Sequence, residues 1–320
     1  MSNKILIIGY GRVGKEAYKL FAKRYTTYIY DPFINPVDFP DCKFVDNLEQ
    51  NFDLSVICIP TPIDLNCYVK VSFTSGYKFK IYASDVSGII DVVARIKSKH
   101  ILIKSTVPPG TSAHLAKLFS KSICFSPEYI SDSSYDTEFK FMNNMEATPM
   151  FIVGGEYATC KYVLDLVQPI IGPQKHLYYA NDAVNAEIIK YMENDYFSKK
   201  VVFANESRNI TEKLGGYWYC VYEGWKLDPR VEAMHTAVFP QSPGFGGKCL
   251  PKDVMARCFC AIVHGNYLPY FSLASLIQNT IYQPEAMFNQ AIKDFVQISK
   301  IESFELVEGN KISKLNPEIR

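Results

Sequence analysis

Residues 4–14 of this chain read KILIIGYGRVG, a short apolar run that passes directly into the pattern Gly-x-Gly-x-x-Gly. A helical pattern follows to about Arg24, and a second short apolar run at residues 28–30 ends at Asp31. This order of strand, glycine turn, helix, strand and terminal acid is typical of a βαβ unit that binds a dinucleotide. The stretch therefore predicts a Rossmann-type domain at the start of the chain.

The glycine turn and its acid also predict which dinucleotide binds. Glycines allow the backbone to approach a pyrophosphate, and an acid roughly twenty residues on is spaced to bind the ribose hydroxyl. Because the carboxylate of Asp31 would repel a 2′-phosphate, NAD is the expected cofactor. The alternative is a tight turn followed by an unrelated surface aspartate. The residues expected to bind NAD here are Gly9, Gly11, Arg12, Val13, Gly14 and Asp31.

Further apolar runs at residues 54–59, 101–103 and 123–125 alternate with helical patterns. They lead into the polar junctions PTP, KSTVPPG and SPE, and a run at residues 151–153 closes a final strand before a Gly-Gly turn. Doubly wound sheets place ligand sites after their strands, so these junctions are candidate site loops. The predicted fold class is α/β, with an N-terminal Rossmann-type doubly wound sheet that binds NAD over residues 1–180.

The character of the chain changes after about residue 180. A helical pattern without proline runs from Ala183 to about Leu214 and ends at two glycines. Its length suggests a spine that leaves the first domain and packs against a partner. We predict that this long central helix opens a helical and dimerisation domain over residues 181–300. A polar tail over residues 301–320 follows, and we expect about its last fifteen residues to be poorly ordered.

The composition is that of an ordinary soluble globular protein, with 48% hydrophobic and 21% charged residues among 320. The net charge of +1 argues against a nucleic-acid partner, and no apolar run is long enough to span a membrane. The start, MSNK, does not resemble a signal peptide, and nine cysteines without such a signal fit a reducing compartment. Because the five histidines are scattered and the Cys258–Cys260 pair lacks zinc-site spacing, no metal is expected. These features predict a cytoplasmic protein.

Residues 244–253 read GFGGKCLPKD and form the strongest candidate for a catalytic loop. Glycines let the backbone lie close to a bulky ligand because no Cβ intrudes. Cys249 has lysines on both sides, and nearby cations lower the pKa of a thiol, whose thiolate is the reactive form. A buried structural thiol is the alternative interpretation for any single cysteine. The glycines and the charged neighbours favour a nucleophile.

The same decapeptide resembles the cysteine loop of the UDP-glucose/GDP-mannose dehydrogenase family, which reads Gly-Phe-Gly-Gly-x-Cys-Leu-Pro-Lys-Asp. The resemblance implies that Cys249 forms a covalent intermediate with the substrate and that Asp253 assists proton transfer or orients Lys190. It also implies that Lys252 lies near the cofactor. The loop residues expected to contact the substrate are Phe245, Gly246 and Gly247.

Lys190 and Asn194 lie four residues apart, which places them on one face of the long helix. An ammonium and an amide donor placed together could stabilise a developing oxyanion, although a solvated lysine and a surface asparagine would show the same spacing. Residues 187–194, EIIKYMEN, continue to an Asn-Glu pair and resemble the central-helix motif of the family. In that motif the lysine and the asparagine flank the reacting carbon, which implies catalytic and substrate-binding roles for both residues.

The segment PEYISD at residues 127–132 resembles the family motif Pro-Glu-Phe-Leu-basic-Glu. The resemblance implies that Glu128 activates a water molecule and contacts the substrate, and that Tyr129 lines the substrate site. Asp132 stands one methylene shorter at the position of the second acid, and a serine replaces the basic residue. The alternative is a pair of loop carboxylates that face water.

Further residues match single family positions. Thr106, in KSTVPPG, matches a threonine that hydrogen-bonds within the active site, and we assign it to both the catalytic and the cofactor-binding set. Thr61, between two prolines, and Ser87 are expected on the cofactor side. Arg230 resembles an arginine that reaches a sugar nucleotide across a subunit boundary. A threonine that caps a turn and an ordinary surface arginine are the alternatives.

The resemblance covers residues 4 to about 285 in motif order and implies an NAD-dependent oxidation in two steps. A nucleotide sugar, with UDP-glucose preferred, would be converted from the C6 alcohol to the uronate through a thiohemiacetal and a thioester. The family pairs through the long helix, so a homodimer is expected. Family members usually carry a further lobe that closes over the nucleotide, and this chain ends before one could form. Two alternatives stay open: a single-step β-hydroxyacid dehydrogenase, which needs no cysteine, and a non-catalytic NAD-binding regulatory subunit.

Overall fold

The computed structural model describes residues 3–73, 78–130, 144–173, 175–283 and 301–307. The strands, in chain order, are β1 (Lys4–Ile8), β2 (Thr26–Tyr30), β3 (Leu54–Ile57), β4 (Ile63–Phe73), β5 (Lys78–Ser84), β6 (His100–Ile103), β7 (Ser122–Phe125), β8 (Met150–Gly155), β9 (His176–Tyr179) and β10 (Ile301–Val307). The helices are α1 (Arg12–Ala22), α2 (Ser87–Arg95), α3 (Thr111–Phe119), α4 (Tyr157–Ile171), α5 (Ala183–Lys213), α6 (Trp218–Trp225), α7 (Leu250–Val263) and α8 (Tyr270–Tyr282).

The chain divides into two compact units, which are described separately. The first unit comprises Met1–Pro62 and Ser84–Lys190, and the second comprises Ile63–Ala83 and Tyr191–Arg320. The sequence patterns predicted one boundary at residue 180 and a second at residue 300. The structural division differs in two respects, because it assigns the β4–β5 hairpin to the second unit and the start of α5 to the first.

The first unit is built on a sheet of strand order β2-β1-β3-β6-β7-β8-β9. Neighbouring strands are parallel except for the antiparallel pair β7 and β8. The inner strands β3 and β6 are almost completely buried and largely apolar, as expected for a sheet covered on both faces. Because β2 and β3 lie on opposite sides of β1, the strand order reverses there and leaves a crevice at the carboxyl ends of β1 and β3. The predicted α/β fold with a Rossmann-type sheet is confirmed.

The second unit contains the three-stranded sheet β10-β4-β5, which the sequence analysis did not predict. Alternate residues of the hairpin point inward, and Val69, Val71 and Ile81 are fully buried. They share one apolar core with Val254 of α7 and Leu276 of α8. Residues 301–307, predicted as the start of a polar tail, instead form the antiparallel partner of β4. The rest of that tail lies outside the described residues.

Helix α5 has 31 residues, in close agreement with the predicted span. At 1.5 Å per residue this length corresponds to roughly 46 Å. Gly215 follows the helix with φ of +79°, a left-handed conformation in which glycine commonly ends a helix. No helix in the described part of the chain is both long and apolar enough to cross a membrane.

Candidate active site

The glycine turn of the first unit has the geometry of a dinucleotide-binding loop. Gly9 has φ of +86°, and a Cβ on this residue would lie 2.8 Å from the carbonyl oxygen of Cys58. A Cβ on Gly14 would overlap the carbonyl oxygen of Gly9, so α1 can pack on the turn only with glycine there. A Cβ on Gly11 would meet nothing within 4 Å. The first and third glycines are thus required by the fold, and the second leaves open space for a ligand.

Asp31 lies at the end of β2, next to this turn. Its Oδ2 accepts a hydrogen bond from the Tyr10 amide at 2.7 Å, and its Oδ1 accepts one from the Phe33 amide at 2.9 Å. The carboxylate is therefore fixed beside the start of α1, where Arg12 is exposed and Val13 half-buried. An open glycine face, a helix N-terminus and an adjacent acid are the groups that a pyrophosphate and a ribose require, so the residues present fit NAD.

Thr61 and Thr106 follow β3 and β6, two neighbouring strands of the sheet. The buried Oγ1 of Thr61 donates to the carbonyl oxygen of Thr106 at 2.6 Å, so the structure brings these two predicted site residues together. Ser87 is the exposed first residue of α2, and its amide donates to Oδ1 of Asp85 at 2.8 Å. All of these residues belong to the first unit.

Glu128 is buried rather than exposed to water. Its Oε1 accepts the amides of Tyr129 and Ile130 at 2.8 and 3.0 Å. Its Oε2 lies 3.1 Å from Nζ of Lys104, which is also buried. This contact is an ion pair without hydrogen-bond alignment, since Oε2 has no hydrogen-bond partner among the described residues. Lys104 is part of the quoted KSTVPPG motif, but the sequence analysis gave it no role.

The start of α5 carries two ionisable residues that belong to the first unit. Nζ of Lys190 lies 5.1 Å from the ring centre of Tyr129, which places the cation over a predicted substrate-site residue. Glu187 is fully buried, and its carboxylate accepts the amides of Gly110 and Ser112 at 2.6 and 2.9 Å. It thereby caps the N-terminus of α3. Sequence reasoning missed this role because the cap comes from a residue 75 positions further along the chain.

In the second unit, Cys249 occupies the N-cap position of the 14-residue helix α7 and is exposed. The end of a helix with free backbone amides favours negative charge, which suits a thiolate. The prediction of an accessible thiol therefore agrees with this placement, whereas Cys67 and Cys258 of the same unit are buried.

Asn194 and Asp253 are joined by a buried hydrogen bond within the second unit. Nδ2 of Asn194 donates to Oδ2 of Asp253 at 2.5 Å, and both side chains are almost completely buried. The other oxygen of Asp253 forms an ion pair with Lys252. The first turn of α7 thus connects the cysteine loop to α5 through predicted site residues, and the asparagine is not the surface residue of the alternative interpretation.

The remaining predicted site residues differ in how deeply they are buried. Phe245 is buried in the core of the second unit, so its side chain gives no support to a substrate-binding role. Gly246 is half-buried and Gly247 exposed. Arg230 is exposed and paired with Asp228 at 2.5 Å, and Asp132 lies outside the described residues. Within the described part of the chain, no group of three or more histidine, cysteine or acidic residues could hold a metal ion.

Comparison with known protein families gives a match over the part of the chain that contains the cysteine loop. The central domain of the UDP-glucose/GDP-mannose dehydrogenase family matches residues 184–280, which include all of α5 except its first residue, the cysteine loop and most of α8. This part of the chain is therefore similar to the central domain of that family. The family resemblance drawn from the sequence motifs is confirmed.

Individual relatives agree with this result. A UDP-glucose 6-dehydrogenase of Rickettsia bellii is 27% identical over 217 residues, which are 65% of this chain and 48% of that protein. A Bacillus subtilis enzyme of the same name is 31% identical over 189 residues, 54% of this chain and 40% of its own length. The chain therefore spans about half the length of the curated relatives it matches.

The fold is also found in solved structures. A UDP-glucose dehydrogenase from the archaeon Pyrobaculum islandicum superposes with a TM-score of 0.69 at 20% identity, over 88% of this chain and 68% of the other. A 3-hydroxyisobutyrate dehydrogenase from Mycobacterium tuberculosis superposes with a TM-score of 0.63 at 15% identity, over 91% and 97%. At these identities the superpositions establish the fold alone.

Proposed function

We propose that the chain is an NAD-dependent dehydrogenase that oxidises the C6 alcohol of a nucleotide sugar to the uronate, with UDP-glucose as the preferred substrate. The observation that carries this proposal is the exposed thiol of Cys249 at the start of α7, on the helix whose Asp253 is bonded to Asn194. A dehydrogenase that stops after one oxidation needs no such nucleophile. The names of the curated relatives support UDP-glucose among nucleotide sugars.

NAD would be held by the turn from Gly9 to Gly14 and by Asp31. When bound, NAD supplies the hydride acceptor for each oxidation. The thiol of Cys249 adds to the aldehyde carbon left by the first oxidation and forms a thiohemiacetal. Without this addition, the aldehyde is a poor hydride donor. Lys190 and Asn194 stabilise the oxyanion of this adduct through their N–H groups.

The second oxidation leaves a thioester on Cys249, and hydrolysis returns the free thiol. We assign Glu128 to this step. Its Oε1 is occupied by two backbone amides, so Oε2 is the oxygen left to accept a proton from water. Asp253 contacts Asn194 and Lys252, so we assign it a positioning role toward the amide of Asn194.

We further propose a cytoplasmic homodimer that pairs through α5. Apolar side chains that a monomer would leave in water support this arrangement, because exposed apolar patches mark interaction surfaces. On the part of α5 in the second unit, the exposed apolar side chains are Met192, Tyr196, Phe203 and Ile210. Sedimentation of the purified chain at the mass of one copy would contradict the dimer.

The deciding experiment measures NADH formed per sugar consumed, over a panel of UDP- and GDP-sugars. The proposal expects two NADH per sugar and the highest turnover with UDP-glucose. A ratio near one, with activity that survives thiol alkylation, would instead support a single-step β-hydroxyacid dehydrogenase. NAD binding without NADH from any sugar would support a non-catalytic regulatory subunit.

The Cys249→Ser variant is the matched test of the thioester route, with Cys220→Ser as its control. Both residues are exposed cysteines of the second unit, and Cys220 lies on α6 outside the predicted site. Cys249→Ser should stop at the aldehyde or a covalent stage, whereas Cys220→Ser should still form two NADH per sugar. Unchanged turnover in Cys249→Ser would rule out the route.

A further inference from the structure

The loop that carries Cys249 is held by a side chain that belongs to none of the recognised motifs. Asn279 of α8 is fully buried, and its Oδ1 accepts the amide of Phe245 at 2.7 Å. Its Nδ2 donates to the carbonyl oxygen of the same residue at 2.8 Å. One amide side chain therefore satisfies both backbone groups of Phe245, much as a neighbouring strand would.

The first residue of the cysteine loop, Gly244, lies in close contact with α8. Gly244 has φ of +80°, and a Cβ there would overlap Oδ1 of Asn279 and lie 2.6 Å from Cβ of Tyr282. Gln283, just after α8, donates to the carbonyl oxygen of Pro243 at 2.8 Å. The end of α8 thus lies against the beginning of the cysteine loop, and this close approach accounts for the glycine at position 244.

The loop is consequently fixed at two points. Its beginning is fixed at Phe245, whose side chain is buried in the core and whose backbone is bonded to Asn279. Its end is fixed by α7, which begins at Leu250. Only Gly246, Gly247, Lys248 and Cys249 lie between these points, so the position of the thiol depends on the first anchor.

We propose that Asn279 is a positioning residue for the nucleophile, acting on Cys249 through the backbone of Phe245. This inference rests on the proposed function, in which the Cys249 thiol attacks the substrate. An amide of this length offers a donor and an acceptor at the required spacing. Alanine offers neither, and an ionised aspartate can accept but cannot donate.

The test compares Asn279→Ala with Thr280→Ala. Thr280 is the next residue on α8, is also buried, and bonds only to the carbonyl oxygen of Ile277 in its own helix among the contacts described. Two readouts are needed: the rate of iodoacetamide alkylation of Cys249, resolved by peptide mass spectrometry, and kcat and KM for UDP-glucose. A displacement of about 1 Å in a reacting group can cost roughly a hundredfold in rate, so we expect kcat to fall about tenfold or more in Asn279→Ala.

KM for the sugar should change by much less, because the proposal assigns Asn279 to the nucleophile and not to substrate binding. The alkylation rate of Cys249 should also differ from that of the wild type, whereas Thr280→Ala should leave both readouts near the wild-type values. Equal kcat and equal alkylation rates in the two variants would overturn the proposal.

Asn279→Asp keeps the inference testable if the alanine variant does not fold. A protonated aspartic acid can donate to the Phe245 carbonyl and accept from its amide, and burial favours this neutral form. The Cys249 alkylation rate, taken as a ratio to the wild type at each pH, should therefore approach one at low pH and depart from it at high pH. A ratio that stays away from one even at low pH would contradict the positioning role.

The alkylation readout requires no turnover. It therefore separates a failure of the proposed function from a failure of the inference about Asn279. If the wild type forms no NADH from any sugar, the proposed function fails while the effect of Asn279 on the thiol is still measured. If the wild type forms two NADH per sugar and the Asn279 variants match Thr280→Ala, only the present inference fails.

Discussion

Nζ of Lys104 lies 3.1 Å from Oε2 of Glu128, and both side chains are buried within the first unit. Removing two opposite charges from water is costly, and the pair is tolerated because each charge compensates the other. Two backbone amides at Oε1 add to this compensation. Within the first unit, Lys104 is therefore the buried counter-charge of Glu128, the residue to which we assign the activation of water.

Replacing Lys104 with methionine should destabilise the protein strongly. The substitution keeps much of the side-chain volume but leaves the carboxylate of Glu128 buried without its counter-charge. Breaking a buried pair from one side typically costs about 3–5 kcal/mol in the free energy of unfolding. Urea denaturation at neutral pH, followed by circular dichroism, measures this loss.

The double variant Lys104→Met/Glu128→Gln is the control for that prediction. Because it removes both charges, it should recover most of the lost stability while turnover remains impaired. A loss of less than about 1 kcal/mol in the single variant would mean that the pair behaves as an exposed one.

The glycine turn predicts opposite outcomes for two alanine substitutions. Gly14→Ala should lower the unfolding temperature, because its Cβ would overlap the carbonyl oxygen of Gly9. Gly11→Ala should leave stability nearly unchanged, since its Cβ meets nothing within 4 Å, yet it should weaken NAD binding by occupying the ligand's space. Thermal unfolding and calorimetric titration with NAD check the pair. Wild-type affinity for NAD in Gly11→Ala would show that the pyrophosphate does not approach this face.

Asp253→Ala should destabilise the second unit through Asn194. It removes the acceptor that lies 2.5 Å from the buried amide, and an unsatisfied buried donor costs about 1–3 kcal/mol. Turnover should fall as well, because the amide is no longer held in place. The double variant with Asn194→Ala should lose less stability than the two single losses combined, and strict additivity would contradict a direct coupling.

The features that local sequence determines were predicted correctly. The glycine turn follows from strand, turn and helix signals within about thirty residues, and α5 follows from an uninterrupted period of 3.6. The hairpin at residues 63–83 carried the alternation typical of a strand, with Cys67, Val69 and Val71 facing inward, but it is inserted between β3 and α2, where a direct strand-to-helix connection was expected. Its third strand, β10, comes from the far end of the chain, where local patterns give no indication of the pairing.

Long-range contacts explain most of what the sequence analysis missed at the site. Lys104 follows β6 and Glu128 follows β7, and these strands are neighbours in the sheet. The pairing could therefore be inferred only after the strand order was known. Asn279 is similar, because it lies 34 residues beyond Phe245 on a helix without a recognised motif.

Glu187 should make stability depend on pH. Burial raises the pKa of its carboxyl from 4.5 to about 7, although the hydrogen bonds from Ser112 and Gly110 act in the opposite direction. Between these two pH values the folded state holds a proton that the unfolded state has released. Stability is therefore lost as pH rises through this window, by up to about 3 kcal/mol at 1.4 kcal/mol per pKa unit.

The Glu187→Gln variant isolates this effect because glutamine does not titrate. Its misplaced amide group costs a constant amount at all pH values, so the informative quantity is the change in the stability difference with pH. The wild type should lose stability relative to Glu187→Gln between pH 4.5 and 7, measured by urea denaturation at several pH values. Glu212→Gln removes an exposed carboxylate from the same helix and serves as the matched control. A stability difference that stays constant over this range would mean that the Glu187 carboxyl is ionised throughout, held by the two amides at the start of α3.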